Sequence, residues 1–314
     1  MLKKKYDNAS GKVLKHNQVL GFKGVFTANA GYIRPKEDGS FWWLTTTSIW
    51  PVDELIGRRI RDWRRLTGED GHSGTRTQSM RTDHDSVYTS THSVFPAPLA
   101  EWIILRYSGN PGGVILDAFA GGPPRAIVSA LMGYKYVGYD IRQDQIDENL
   151  KVLNRLGNIN SVNYICGDGT LLGDSSDNSF DFGLTCPPYF DLEQYSNLPN
   201  DLSNLPDYQT FDHAMLNCAK AHYRVMKPSS FVCIVTCPFR VGGNKDENEL
   251  RDFPGDTVRN FRAAGFMLWQ KIVLSRNFAS AAVRSTTSWK GLKLVPRHEE
   301  LLVFRKPSGG KNGC

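Results

Sequence analysis

The chain has 314 residues, of which 40% are hydrophobic and 22% charged; that is enough for one large α/β domain with additions, or two small ones, and too apolar for global disorder. No stretch reaches the roughly 18 apolar residues of a membrane span, and six cysteines are too few for a disulfide scaffold. The net charge of +6 is uneven: residues 1–100 hold 15 basic against 10 acidic side chains, 111–215 hold 5 against 14, and 216–314 hold 17 against 7.

Basic ends around an acidic middle point to a polyanion touching the ends, with solubilising surface charge as the alternative. The basic N-terminus has no apolar run behind it, so no secretory signal is expected and the cytoplasm is the expected compartment. The cysteines read as reduced thiols, with Cys166, Cys233 and Cys237 expected to be buried in strand-like runs. No Cys-x-x-Cys or Cys/His spacing supports a zinc site, so no metal is expected.

In chain order, residues 1–40 show little periodicity and read as an arm with a hairpin. Phe41, Trp42, Trp43 and Trp50 form a denser stretch. Pro51-Val-Asp-Glu then opens a predicted helix to Leu66 that carries Arg58, Arg59, Arg61, Arg64 and Arg65. Residues 67–92 are polar and read as a loop, and a helix is expected over 98–107. From residue 114 strands alternate with helices. Strands are expected at 114–119, 136–140, 161–166, 180–185 and 231–237, and helices at 125–132, 143–156, 211–225 and 257–264. Gly265 reads as the stop of the last helix. Two closing strands, 267–274 and 300–305, have no helix between them and predict an antiparallel hairpin at one edge. The expected fold is α/β: a mostly parallel, twisted seven-stranded sheet with helices on both faces. The main domain would span 91–314, preceded by a basic and aromatic region over 1–90.

Two segments carry candidate chemistry. Val114-Ile-Leu-Asp117-Ala-Phe119-Ala-Gly121-Gly122-Pro-Pro sits at a strand-to-helix turn, where glycine lets backbone approach a ligand. Asp140 ends the next strand, nineteen positions after Gly121, where an acid can take both hydroxyls of a ribose. This fits NAD or S-adenosylmethionine. Pro123 and Pro124 remove the amides a pyrophosphate would need and so disfavour NAD. Asp168, after the third strand, is placed to meet an adenine amine, with Asp174 and Asp177 as competitors and a plain Asx turn as the alternative. Thr185-Cys186-Pro187-Pro188-Tyr189-Phe190 follows the fourth strand. Two prolines and an aromatic make a stiff corner suited to a base drawn out of a nucleic-acid stack.

Here the sequence resembles a family: the S-adenosylmethionine-dependent DNA amino-methyltransferases, which methylate adenine N6 or cytosine N4 and carry Asp/Asn/Ser-Pro-Pro-Tyr/Phe. It is most similar to phage-encoded members with Ser-Pro-Pro-Tyr-Phe-Asp-Leu-Glu, which here reads Cys186-Pro-Pro-Tyr-Phe-Asp-Leu-Glu193. The likeness extends to Ser93-Val-Phe95-Pro-Ala-Pro-Leu-Ala-Glu, to Asp117-Ala-Phe-Ala-Gly-Gly and to His298-Glu-Glu-Leu-Leu-Val-Phe, over roughly 90–306. The resemblance implies a Rossmann-like class I methyltransferase fold with one antiparallel edge strand. It implies a cofactor site at Phe95, Asp117, Phe119, Gly121, Gly122, Asp140 and Asp168, and a catalytic corner at Cys186, Pro187, Pro188 and Tyr189. Double-stranded DNA with a flipped target base is the implied substrate, in the setting of DNA methylation and restriction-modification. For a phage-encoded member the compartment is the bacterial host cytoplasm.

Cys186 departs from the motif. It can replace Ser while the Pro187 carbonyl does the main work, act as a nucleophile in C5-pyrimidine methylation, or mark a weak site. Cytosine N4 is favoured slightly over adenine N6. RNA or tRNA methylation and a catalytically inactive DNA-binding protein are the alternatives. For gripping DNA, the loop 276–297 offers Arg276, Arg284, Lys290, Lys293 and Arg297 and no acid, and the arginine helix offers Arg58 and Arg61.

Overall fold

The computed structural model describes residues 49–51, 95–156, 159–192, 195–240, 249–275, 292–294 and 298–309. The expected arm, the arginine helix with Arg58 and Arg61, the loop 67–92, and Arg276, Arg284, Lys290 and Arg297 lie outside them.

The strands are β1 (Ile49–Pro51), β2 (Val114–Asp117), β3 (Lys135–Asp140), β4 (Val162–Cys166), β5 (Phe180–Thr185), β6 (Met226–Thr236), β7 (Phe239–Arg240), β8 (Leu250–Arg251), β9 (Met267–Ser275) and β10 (His298–Arg305). The helices are α1 (Ala97–Tyr107), α2 (Pro124–Leu131), α3 (Gln143–Arg155), α4 (Tyr208–Val225) and α5 (Phe253–Ala263). Alternate strand residues face opposite sides. Ile115, Phe182, Leu184, Val235 and Val303 therefore pack against α1 and α2, while Leu116, Val232, Ile234 and Phe304 pack against α4 and α5. Strands buried on both faces are apolar throughout, which is why 114–116 and 231–235 were legible as strands.

The sheet runs β1-β9-β10-β6-β5-β2-β3-β4. All neighbours are parallel except β10, which is antiparallel to both β6 and β9. The hairpin expected at one edge is present. Its reversed strand is slotted between β6 and β9, and β1 adds an eighth strand outside the expected seven. Pro51, expected to open a helix, is instead extended opposite Ser275. An edge strand tolerates a proline because its missing N–H has no ladder partner to lose. The C-terminal ends of β1, β2, β3, β5, β6 and β9 lie along one edge of the sheet, and reversal brings the start of β10 to that same edge.

Candidate active site

At that edge a cleft of about 1260 Å³, counting its solvent-open mouth, runs from the β2 and β3 ends to the β5 end. The glycine turn forms one end. Gly121 sits at φ +50, and a Cβ built there meets nothing within 4 Å, so its outer face is bare. Three bonds fix the turn. Ala120 N donates to Tyr139 O at 2.8 Å, Gly121 N donates to an Asp140 carboxylate oxygen at 2.9 Å, and the buried Asn149 Nδ2 of α3 donates to Gly121 O at 2.6 Å. The other Asp140 oxygen accepts Arg142 N at 2.9 Å. Each oxygen keeps a further lone pair, and Asp140 lines the cleft. Burial raises the Asp140 pKa, against the pull of the two amides and Arg142. Asp168 forms the far wall; one of its oxygens accepts Thr170 N at 2.8 Å and Thr170 Oγ1 at 2.6 Å, so the Asx-type turn is formed while the residue still faces the cleft.

Below the floor lies a buried charge network. Asp117 Oδ2 accepts Arg125 Nε at 2.5 Å and Tyr136 OH at 2.7 Å, and Asp117 Oδ1 accepts Thr185 Oγ1 at 2.9 Å and Phe119 N at 3.2 Å. Arg125 also donates to Phe119 O at 2.6 Å and Ala120 O at 3.0 Å, and its guanidinium lies 4.7 Å from the Phe95 ring centroid. Burial opposes the Arg125 charge, but the neighbouring Asp117 outweighs it and raises the pKa above its ordinary value. The network ties the glycine turn on β2 to Thr185, the last residue before Cys186.

The diproline corner forms the other end of the cleft, with Cys186, Pro187, Pro188 and Tyr189 all on its wall. Cys186 Sγ lies 3.8 Å from Tyr189 OH. Phe190 turns back at φ +49, a left-handed conformation that costs a non-glycine residue about 1 kcal/mol or more. It is held there by tilted and edge contacts to Phe211 and Tyr208 at 5.6 and 5.9 Å. Phe253 meets the Tyr189 ring edge-on at 6.0 Å. Tyr189 is therefore braced from behind by a cluster of aromatic rings. Burial pushes the Cys186 thiol up to about 11, with the Arg125 charge offsetting only part and the Glu299 charge adding to the rise. At neutral pH it is a protonated thiol, which disfavours the nucleophile reading.

Of the residues singled out from sequence, Phe95, Phe119, Gly121, Gly122, Asp140, Asp168 and 186–189 share this one cleft. Asp117 does not. Expected to contact the cofactor, it is fully buried with its carboxylate consumed by the network, so it shapes the turn from beneath. Cys166, expected to be buried, is exposed because it ends the edge strand β4. Lys293 is half-buried in a short described stretch and does not line the cleft. Sequence reasoning missed Arg125, Asn149 and Glu299. An arginine opening the apolar run Arg125-Ala-Ile-Val, eight positions after a strand-end acid, was the one available signal.

Residues 3–151 match a family model described as DNA methylase (N6_N4_Mtase). That stretch includes the glycine turn and Asp140 and ends before the diproline corner. A curated relative, the type II methyltransferase M1.MboII of Moraxella bovis, is 32% identical over 92 residues, which is 29% of this chain and 35% of that protein. The chain thus spans about a third of the curated relative it matches. Similar solved structures include TrmN from Thermus thermophilus, 14% identical with a TM-score of 0.48 over 69% of this chain and 51% of that one. Another is a SAM-dependent methyltransferase of Methanosarcina mazei, 15% identical with a TM-score of 0.46 over 65% of this chain and 97% of that one.

The fold is Rossmann-like: a mostly parallel sheet covered by helices, with its reversed strand inside the closing hairpin. The first half of the chain is similar to the DNA methylase family model, and a 92-residue stretch is similar to a type II methyltransferase. S-adenosylmethionine is the cofactor of such proteins, and the cleft fits it: a bare glycine turn, a strand-end acid with lone pairs to spare, and a second acid beyond. With Asp140 as the expected ribose acceptor, Asp140→Ala should weaken S-adenosylmethionine binding by at least tenfold in calorimetry, the loss of two hydrogen bonds to a charged acceptor. Affinity should also fall on acidification. The raised Asp140 pKa means the carboxylate protonates, and loses acceptor capacity, at a higher pH than an ordinary aspartate near 3.9. Unchanged affinity in the variant would remove Asp140 from the ribose site.

Proposed function

We propose that the chain methylates an exocyclic base amine in double-stranded DNA, with the target base flipped into the cleft and cytosine N4 the first target to test. One observation carries the reading: the glycine turn with Asp140 and the diproline corner with Tyr189 face a single cleft. Bound S-adenosylmethionine supplies a methyl group activated by its sulfonium. The chain's own residues do the rest. Asp140 and the turn hold the cofactor end. Tyr189, backed by its aromatic cluster, gives the flipped base a flat surface to stack on. The Pro187 carbonyl, fixed by two rings, accepts a hydrogen bond from the amine and draws its lone pair out of conjugation with the base. Orientation in a site shielded from water supplies most of the effect.

The basic character of 276–297 supports DNA as the partner. In sequence, Arg276, Arg284, Lys290, Lys293 and Arg297 fall between Ser275 and His298, which pair at the edge of the sheet that holds the cleft, and this supports the reading. The Arg58 and Arg61 segment likewise follows Pro51 at that edge and precedes Phe95 on the cleft wall.

The test is incubation with labelled S-adenosylmethionine and duplex DNA, digestion, and identification of the methylated nucleoside by mass. N4-methylcytosine is expected; label on RNA alone would replace the substrate, and label at cytosine C5 would replace the chemistry. Cys186→Ser should keep or raise the rate, because a hydroxyl accepts hydrogen bonds better than a thiol. Loss of all transfer in that variant would instead support a thiolate nucleophile.

A further inference from the structure

We infer that Glu299, on the reversed strand, is a second acceptor for the target amine and takes up the proton that the amine sheds. This rests on the amino-methyltransferase reading above. The diproline corner offers one strong acceptor, the Pro187 carbonyl, while an amine presents two N–H groups and Cys186 is a weak acceptor. Glu299 lines the same cleft as residues 186–189. Its charge acts on both Cys186 and Tyr189. Topology explains how it gets there: β10 runs against its neighbours, so its second residue lies at the edge where the parallel strands end. Strand alternation separates it from its neighbour. Glu300 points to the other face and pairs with Lys271 at 2.9 Å.

The step balances as follows. The nitrogen lone pair forms the new N–C bond, the C–S bonding pair stays on sulfur, and the nitrogen becomes cationic. One N–H proton then passes to the Glu299 carboxylate, which becomes a neutral acid and returns the proton to solvent. Cys186 itself offers no carboxylate beside the amine, and Glu299 supplies one.

The test uses the full chain with duplex DNA and S-adenosylmethionine. Glu299→Gln keeps a carbonyl acceptor but takes no proton, and should lower kcat by about 10²-fold, in the range of general-base contributions, with calorimetric S-adenosylmethionine affinity within twofold of wild type. Glu300→Gln should leave the rate unchanged. The double variant Cys186→Asp with Glu299→Gln should regain at least tenfold, because a carboxylate is restored beside the amine. This rescue distinguishes lost chemistry from a folding defect. If wild type methylates DNA and Glu299→Gln keeps its rate, or the double variant shows no rescue, Glu299 has no such role while the function stands. If wild type binds S-adenosylmethionine but transfers no methyl group to DNA, the reading of function falls first.

Discussion

Arg125→Met is expected to cost about 3–5 kcal/mol of folding stability, because it leaves Asp117 as an uncompensated buried charge. Asp117 is fully buried and Arg125 is 4% exposed, so water replaces none of the lost interaction. Against a typical total of about 5–15 kcal/mol, that is a large share. The damage should also reach function. Arg125 fixes the carbonyls of Phe119 and Ala120, and Asp117 reaches across to Thr185, so the glycine turn and the diproline corner should both loosen. Urea unfolding gives the first number and S-adenosylmethionine calorimetry the second. Pairing Arg125→Met with Asp117→Asn removes the orphaned charge and should recover part of the loss, which a double-mutant cycle measures. A loss under about 1 kcal/mol for the single variant, the size of an exposed ion pair, would mean that the network does not hold the site.

Gly169→Ala is the second large effect. A Cβ there would lie 1.8 Å from the carbonyl oxygen of Ala118, and backbone on one of the two segments must move. Both segments line the cleft, one beside Asp168 and the other beside Phe119. We expect a stability cost of at least about 1–3 kcal/mol and a loss of cofactor binding of more than tenfold. Gly167→Ala is the matched control: its added carbon would sit 3.7 Å from the nearest Tyr139 ring atom, an ordinary contact, and binding should survive. Equal behaviour of the two variants would show that the close approach at Ala118 is not what shapes this wall.

Legibility in the sequence followed the physics of burial. The strands expected at 114–119, 180–185 and 300–305 were legible because their central residues are apolar and buried; the polar start of the last, His298 to Glu299, was not read as strand, and the first ends at Asp117. The start of β6 did not. Lys227-Pro228-Ser229-Ser230 falls between the expected helix and strand, and it becomes strand through irregular pairing, with Ser229 at φ +66 and its N–H donating to Lys306 O. The two-residue strands β7 and β8 have no periodicity to read, and β1 is defined by its partner.

The site divided in the same way. Glycine, proline and strand-end acids act through backbone geometry, which local sequence reveals, so the convergence of Gly121, Asp140 and the diproline corner on one cleft was legible in advance. Arg125 and Glu299 act across distances that only the fold creates. Asp117 lies inside and not on the cleft wall: a strand-end acid can face a ligand or the interior, and nothing local decides which.

The inserted, reversed strand has an evolutionary consequence. Because β9 ends and β10 begins at the edge that holds the cleft, the connection between them can be lengthened, shortened or exchanged without altering any covered strand. Such an arrangement separates the connection from the cleft walls, so that under the proposed function descendants could acquire new target sequences while inheriting the same cleft.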